Sequence, residues 1–286
     1  MNIIVFGCSG QLGSYLIREF SNAGYKVVGT YNSNPIGSEK CIKINLKDKL
    51  MIEDLILKLK PDIIINAAAF TNVDACEVNR DECYQVNAEA VKRIVRASRV
   101  INSYLIHIST DYVFNGNNGY YKEDHLPDPV NFYGLSKLIG EAYALSYDMS
   151  AVIRTSGVFS SKKQNFPKLV VDSLAKGVKI NATHEIYYSP IHALSLARCI
   201  LKISDKKFYG LLHVAGERVS RYELALKIAE LMDADKGLII PVSQNQMSWK
   251  AKRPIDSSLD FSKAKTLIDF DFYSTSNNVK LLLQGL

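Results

Sequence analysis

Two residues four positions apart, Tyr133 and Lys137, are well suited to acid–base chemistry. On a helix, side chains at this spacing share one face. Reduction of a ketone needs a hydride at carbon and a proton at oxygen, and a phenol with an unperturbed pKa of about 10 is a poor partner for that proton at neutral pH. A neighbouring ammonium favours the phenolate and lowers that pKa, and it can also hold a nicotinamide ribose. The pair therefore predicts proton transfer beside a bound cofactor.

A hydroxyl group for the substrate oxygen is available at Ser109-Thr110, where the predicted strand Tyr104–Ser109 ends. Ligands of open α/β sheets bind at the carboxyl ends of the strands. A hydroxyl placed there can donate a hydrogen bond to an oxygen that gains negative charge. The Tyr-x-x-x-Lys spacing alone is common by chance. Its position after this strand and after a glycine loop favours a catalytic role over a solvated helix face.

The glycine loop joins the first predicted strand, Asn2–Phe6, to a helix predicted over Leu12–Ala23. Its sequence is Gly7-Cys8-Ser9-Gly10-Gln11-Leu12-Gly13, with the spacing GxxGxxG. Glycines let a pyrophosphate approach the backbone, and the helix N-terminus attracts its charge. An ordinary tight turn is the alternative, but the position directly after the first strand favours a nucleotide site.

The end of the second predicted strand bears on the choice of cofactor. A carboxylate there would bind the ribose 2′-hydroxyl and favour NAD. This chain has Thr30-Tyr31-Asn32-Ser33-Asn34 instead, with no acid and no arginine. Asn32 or Ser33 could donate hydrogen bonds to a 2′-phosphate. The segment favours NADPH, with NADH as the alternative.

Buried strands and amphipathic helices alternate through the first half of the chain, which predicts a Rossmann-like α/β fold with a doubly wound parallel sheet. We expect a dinucleotide-binding domain over 1–155. A smaller, mainly substrate-binding lobe is expected over 156–286, with segments that return to the first sheet. Further helices are predicted over Phe166–Lys176, His192–Ile203 and Arg221–Met232.

Bulk composition excludes several classes of protein. The 286 residues carry a formal charge of +6 and are 47% hydrophobic, an ordinary globular balance. Neither a membrane span nor a secretion signal is expected, nor a basic, aromatic-rich patch for nucleic acid. The five cysteines, an odd number without a CxxC pair, indicate reduced thiols and a cytoplasmic location. His184 and His192 show no metal-ligand pattern, and we expect no metal.

With these motifs the chain resembles the extended short-chain dehydrogenase/reductase family, and more closely its dTDP-4-dehydrorhamnose reductase branch. The glycine loop and the Tyr-Lys pair are typical of the whole superfamily. Further matching elements are Asn66-Ala67-Ala68-Ala69-Phe70-Thr71-Asn72-Val73-Asp74, Ser109-Thr110-Asp111-Tyr112-Val113-Phe114-Asn115-Gly116, Arg154-Thr155-Ser156 and Arg253-Pro254-Ile255-Asp256-Ser257-Ser258-Leu259. Of these, the elements Ser109–Phe114 and Arg253–Leu259 are the most specific to this branch.

The resemblance implies a role for each matching residue. Tyr133 is the expected general acid, Lys137 tunes it and binds ribose, and Thr110 polarises the keto oxygen. The implied cofactor-binding residues are Gly7, Gly10, Gln11, Leu12, Gly13, Asn32, Asn45, Leu46, Ala67, Ala68, Ala69, Tyr133 and Lys137. The implied substrate-binding residues are Thr71, Val73, Asp111, Tyr112 and Asn165. Capping is the alternative for Asp111, and core packing is the favoured reading of Phe114.

Two departures from the family pattern fall where the substrate should be selected. Gly157 stands where the family commonly has a tryptophan that contacts substrate. The segment 184–192 keeps only Pro190 clearly from the family's Asp-Gln-x-Gly-x-Pro-Thr stretch. Tyr187 or Tyr188 could supply the missing aromatic contact, or either could be part of a hydrophobic core.

The resemblance implies NAD(P)H-dependent reduction of the C4 keto group of a nucleotide-activated 4-keto-6-deoxy sugar, as in the synthesis of dTDP-rhamnose for polysaccharides. The implied partners are a nucleotide-diphosphate sugar and a second copy in a homodimer. A related epimerase or dehydratase is disfavoured, because Tyr112 stands where dehydratases usually have a glutamate. A third reading is a non-catalytic, NADP-binding regulatory subunit similar to the β subunit of methionine adenosyltransferase.

Overall fold

A single parallel sheet forms the centre of the molecule. The computed structural model describes residues 1–34 and 41–286. The strands of this sheet are β1 (Asn2–Phe6), β2 (Lys26–Tyr31), β3 (Cys41–Lys43), β4 (Ile63–Asn66), β5 (Tyr104–Thr110), β6 (Ser150–Phe159), β9 (Pro190–His192) and β10 (Gly210–His213). They run in the order β10-β6-β5-β4-β1-β2-β3, and β9 pairs with the last part of β6.

Short strands outside this sheet build a C-terminal lobe. β8 (Tyr187–Tyr188) pairs antiparallel with β11 (Val219–Ser220), and β7 (Ile180–Thr183) pairs parallel with β12 (Ile239–Val242). The helices of the molecule are α1 (Gly13–Asn22), α2 (Lys49–Leu59), α3 (Val73–Val78), α4 (Arg80–Tyr84), α5 (Ala90–Ile101), α6 (Phe132–Leu145), α7 (Phe166–Ala175), α8 (Ala193–Asp205), α9 (Arg221–Leu231), α10 (Ser262–Leu267) and α11 (Thr275–Gln284). A π-helical turn, Gln85–Glu89, joins α4 to α5.

Both faces of the sheet are buried because its strands are apolar at successive positions. In β1, Ile3 belongs to one core cluster together with helices α1 and α8. The next residue, Ile4, belongs to a second cluster with α2 and α5. Alternate side chains of a strand point to opposite faces, so a continuous apolar run requires helices on both sides. The predicted doubly wound parallel sheet is confirmed.

The N-terminal and C-terminal parts share strand β6. The expected boundary at residue 155 falls inside this strand, which runs on to Phe159. Residues 151–154 of β6 pair with β5 on one side and with β10 on the other, and the last part of β6 pairs with β9. Both β9 and β10 come from the C-terminal part. A third core cluster, which includes Phe159, Val170, Leu224 and Val279, lies in the C-terminal lobe.

Two further expectations can be compared with the fold. Phe114 is fully buried and stacks on Tyr121 with ring centres 4.1 Å apart, so it packs in the core as favoured. All five cysteines are free thiols. None of the helices formed by residues 1–34 and 41–286 is long and apolar enough to cross a membrane.

Candidate active site

One cavity of about 790 Å³ collects nearly all of the residues expected at the site. It opens along the carboxyl ends of β1, β4, β5 and β6, the edge at which ligands of this architecture bind. The expected residues on its wall are Gly7, Gly10, Gln11, Leu12, Asn32, Asn45, Leu46, Ala67, Ala68, Ala69, Thr71, Val73, Thr110, Asp111, Tyr112, Tyr133 and Lys137.

Two expected residues lie outside that wall. A Cβ atom on Gly13 would lie 2.1 Å from the carbonyl oxygen of Gly7, so this glycine lets α1 pack against the loop. Asn165 caps α7: its side-chain oxygen accepts from the Lys168 amide at 3.0 Å, and its amide donates to the Ser160 carbonyl at 2.7 Å. The sequence suggested ligand contact for both residues, but both are used in local packing.

The loop at the start of α1 fits a bound pyrophosphate. The N-cap position of this helix, Leu12, makes no side-chain capping hydrogen bond. The amides of Ser14 and Tyr15 donate to the carbonyls of Gly10 and Leu12, which leaves the amides just before them, within the described residues, to bind an anion. Gln11 is held in place by the Ser160 hydroxyl, which donates to its side-chain oxygen at 2.6 Å. Because Ser160 directly follows β6, this contact ties the loop to the C-terminal part.

The far end of the cavity is polar and suits the adenosine part of a dinucleotide. Asn32 and Ser33 line it, as does Asn45, whose side-chain oxygen accepts from the Lys47 amide at 3.0 Å. Lys47 also lines this end, with its ammonium 2.9 Å from Glu82. Sequence reasoning missed this lysine, which is a cation that a 2′-phosphate could reach.

Helix α6 carries the Tyr-Lys pair into the cavity. Its N-terminus is capped by Asn131, whose side chain accepts from the Gly134 amide at 2.9 Å. Lys137 is 2% exposed, and its ammonium donates to the Ile108 carbonyl at 2.7 Å. Burial lowers the pKa of Lys137 to about 8, although the nearby carboxylate of Glu141 opposes the shift.

The pKa of Tyr133 differs from the expectation. Burial raises this pKa, and only a weaker effect of the Thr110 hydroxyl lowers it. The expected lowering by Lys137 is wrong, because desolvation of the phenolate dominates and the Lys137 ammonium donates to the Ile108 carbonyl. The phenol is therefore fully protonated at neutral pH, the form needed by a group that gives a proton.

Asp111 accepts hydrogen bonds from three hydroxyl groups at the cavity wall. Its carboxylate accepts from Thr110 at 3.0 Å, from Ser156 at 2.7 Å and from Ser257 at 2.5 Å. Burial raises the pKa of Asp111 to about 6, although the three hydroxyls oppose the shift. Asp111 lines the cavity and fixes the Thr110 side chain, whereas the cap of the turn Asp111–Val113 is Thr110, whose hydroxyl oxygen accepts from the Tyr112 amide at 3.2 Å.

The segment Ala67–Phe70 forms a wall of the cavity and is held by buried amides. Asn66 accepts from the Ala68 amide at 3.3 Å and contacts the ring of His107 at 3.1 Å. Asn87, in the π-helical turn, accepts from the Phe70 amide at 2.8 Å and donates to its carbonyl at 3.1 Å. His107 is fully buried, as expected for a core histidine.

One part of the cavity wall contains an aromatic side chain opposite a glycine. Gly157 has a φ of +49°, and a Cβ atom there would lie 2.5 Å from Cε2 of Tyr188. Tyr188 and Gly157 both line the cavity. Of the two tyrosines considered for an aromatic contact, Tyr188 is therefore the one in the wall.

Among the cavity residues that the sequence analysis gave no site role are Arg221, Trp249 and Arg253. Arg253 stands in the quoted Arg-Pro motif, which was a signal for it. Arg221 and Trp249 belong to none of the quoted motifs. Their place on the wall follows from packing between segments far apart in the chain.

Comparisons with known proteins agree with this geometry. A family model described as the RmlD substrate binding domain matches residues 1–286. A dTDP-4-dehydrorhamnose reductase from Aggregatibacter actinomycetemcomitans is 32% identical over 277 residues, which cover 91% of each chain. Methionine adenosyltransferase 2 subunit beta from Bos taurus is 27% identical over 278 residues, 93% of this chain and 82% of that protein.

Two solved structures share the whole fold. A hypothetical dTDP-4-dehydrorhamnose reductase from Sulfolobus tokodaii has a TM-score of 0.90 and 48% identity, and the match covers 96% of this chain and 97% of that chain. The dTDP-4-dehydrorhamnose reductase of Bacillus anthracis, solved in complex with NADP, has a TM-score of 0.90 and 26% identity, with 100% and 99% covered.

Proposed function

The chain belongs to the RmlD substrate binding domain family, and from this premise we propose that it is an NADPH-dependent reductase of the C4 keto group of a nucleotide-activated 4-keto-6-deoxy sugar. The observation that carries the proposal is that Thr110, Tyr133 and Lys137 line one cavity with the glycine loop. The similar reductase from Aggregatibacter actinomycetemcomitans supports dTDP-4-dehydrorhamnose as the first substrate to try. Its product would serve polysaccharide synthesis.

The residues divide the chemistry of a reduction between them. A reduced nicotinamide, when bound, supplies the hydride. Tyr133 gives its proton to the keto oxygen as that oxygen gains charge, and the Thr110 hydroxyl can turn from Asp111 to donate to the phenolate that remains. Lys137 brings a positive charge to the same wall and can bind the ribose hydroxyls. Asp111 keeps Thr110 in place through the hydrogen bond between their side chains.

NADPH is the cofactor that we propose, with NADH as a second donor. The cavity segment Thr30–Asn34 has no carboxylate to repel a 2′-phosphate. The ammonium of Lys47 lies on the same part of the wall. The related structure from Bacillus anthracis contains NADP. The cytoplasmic location and the homodimer stay predictions.

The test is oxidation of NADPH by the purified chain when it is given nucleotide-linked 4-keto sugars. Tyr133→Phe should lower kcat by roughly 100-fold or more, the usual contribution of a general acid, while the Kd for NADPH stays within about twofold. Tyr143→Phe, on the same helix but outside the cavity wall, is the matched control.

A regulatory, non-catalytic role is the second candidate, favoured by the similarity to methionine adenosyltransferase 2 subunit beta. Such a role needs only the fold and the dinucleotide cavity. If the chain binds NADPH but oxidises it with no 4-keto sugar, this second candidate replaces the first.

A further inference from the structure

A cationic and aromatic corner lies at the C-terminal side of the cavity, and the reductase chemistry above leaves it without a role. It consists of Arg221, Trp249 and Arg253, called here the Trp249 corner. The guanidinium carbons of Arg221 and Arg253 lie 5.6 and 5.4 Å from the centre of the Trp249 ring. All three residues line the same cavity as Tyr133.

The corner is fixed to the N-terminal part of the molecule by one carboxylate. Asp74 accepts from the amides of Lys250 at 3.1 Å and Ala251 at 2.9 Å, and its oxygen lies 3.0 Å from Nη2 of Arg253. The Asn131 side chain donates to the Lys252 carbonyl at 2.9 Å. Asn131 also caps the helix that carries Tyr133. The corner and the phenol are thus held by the same elements.

The two arginines differ in charge balance. Within residues 1–34 and 41–286, Arg253 is paired with Asp74, whereas the contacts of Arg221 are the rings of Phe166, at 5.1 Å, and Trp249. The charge of Arg221 acts on groups inside the cavity. Burial raises the pKa of Tyr188, and the positive charge of Arg221 opposes that rise. Arg221 is therefore a cation presented to the cavity beside an aromatic surface.

We propose that the Trp249 corner binds the nucleoside diphosphate part of the sugar substrate, with the base against Trp249 and the diphosphate on Arg221. The assignment rests on the proposed function, which supplies the reason for a nucleotide at this end. An indole accepts any base by stacking, and a guanidinium binds phosphate oxygens through paired donors. The glycine loop and the Trp249 corner are formed by different elements of the chain. The cofactor and the substrate nucleotide therefore have separate sites.

Trp249 is the only tryptophan of the chain, so its fluorescence reports on this corner alone. The chain is first saturated with NADP⁺ and then titrated with thymidine diphosphate, uridine diphosphate and the two monophosphates. We expect a saturable change in fluorescence, and a Kd for at least one diphosphate roughly tenfold lower than for its monophosphate.

Two variants and one control separate the contributions. Arg221→Gln should remove most of the preference for diphosphate, and Trp249→Phe, followed by calorimetry, should weaken binding by roughly fivefold or more. Arg96→Gln, an exposed arginine on α5, should change neither quantity. Retained NADP⁺ binding shows that each variant is folded.

The proposal is overturned if diphosphates leave the fluorescence unchanged, if NADP⁺ displaces them, or if Arg221→Gln binds them as tightly as the parent chain. None of these readouts involves hydride transfer. A chain that binds diphosphate at Trp249 but reduces no sugar would keep this site and lose the reductase proposal. If the parent chain reduces nucleotide-linked sugars and Arg221→Gln does so with an unchanged KM, the reductase proposal is kept and the proposed nucleotide site is lost.

Discussion

Burial sets the pH range over which Lys137 carries its positive charge. Its ammonium is almost fully enclosed, and burial lowers its pKa to about 8. Tyr133 has a raised pKa and keeps its proton through this range. Of these two residues, Lys137 is therefore the one whose charge changes first as the pH rises.

We expect kcat/KM for the reduction to fall as the pH rises through about 8. The sign follows from the lowered pKa, because Lys137 is charged below it and neutral above it, and the neutral amine no longer supports the phenolate or binds ribose. The measurement is kcat/KM from pH 6 to pH 10, which reports groups of the free enzyme. A profile that stays flat to pH 10 contradicts the assigned role.

Asp111 should contribute a pH dependence of stability in the opposite direction to most carboxylates. Its folded-state pKa of about 6 lies above the ordinary 3.8, so its stabilising contribution is complete below pH 3.8 and is lost as the pH rises through 6. The difference corresponds to about 3 kcal/mol. Asp111→Asn should therefore gain stability relative to the parent chain between pH 4 and pH 7, by denaturant unfolding at each pH. A constant difference would show that burial does not control this carboxyl.

At the scale of elements, the π-helical turn Gln85–Glu89 places one side chain where a regular helix would not. π-Helical turns inside α-helices occur frequently at functional sites. Here the turn carries Asn87, which bonds both backbone groups of Phe70. The turn thereby fixes the segment Ala67–Phe70 against the cavity.

Asn87→Ala should destabilise the fold by about 2 kcal/mol or more, because it leaves the amide and carbonyl of Phe70 without partners. It should also raise the Kd for NADPH, since the Ala67–Phe70 wall is no longer held. Chemical denaturation and cofactor titration measure the two effects. Exposed Asn79→Ala is the matched control, and equal stability of the two variants would argue against the Asn87 contacts as a support of the wall.

At the scale of the whole molecule, β6 makes the two parts of the chain one cooperative unit. The segment 1–155 alone would lose the last part of β6 and the edge pairing with β10. It would also lose α8, which covers Leu16 and Phe20 of α1 in the same core cluster. The apolar face of α1 and of the sheet beneath it would then be exposed to water.

We therefore expect residues 1–155, expressed alone, to lack a cooperative thermal transition. The full chain should show one transition, and a ligand at 100 times its Kd should stabilise it by about 2.7 kcal/mol. Circular dichroism melting of both proteins, the full chain with and without NADP⁺, measures this. A sharp thermal transition of the fragment would show that residues 1–155 fold independently, and would support a domain boundary at residue 155.

The sequence predicted those parts of the molecule that local pattern determines. Apolar runs such as Ile3–Phe6 and Ile63–Asn66 must be buried on both faces, and the glycine loop follows from its position after β1. Two-residue strands such as β8 and β11 carry too little pattern to predict. The Trp249 corner depends on Asp74, more than 170 positions away in the chain. The raised pKa of Tyr133 required knowledge of burial, which sequence spacing does not contain.

The space beside Gly157 is already filled by the ring of Tyr188, so the wall has room for a large side chain at only one of these two positions. Any larger residue at position 157 would meet both the Tyr188 ring and a backbone angle that side chains rarely adopt. Changes of sugar preference at this wall must therefore be acquired in order, with position 188 reduced before position 157 grows. A variant with a larger residue at position 157 and Tyr188 unchanged is expected to be misfolded or inactive. Libraries of single substitutions would therefore not find changes of sugar preference that need both positions.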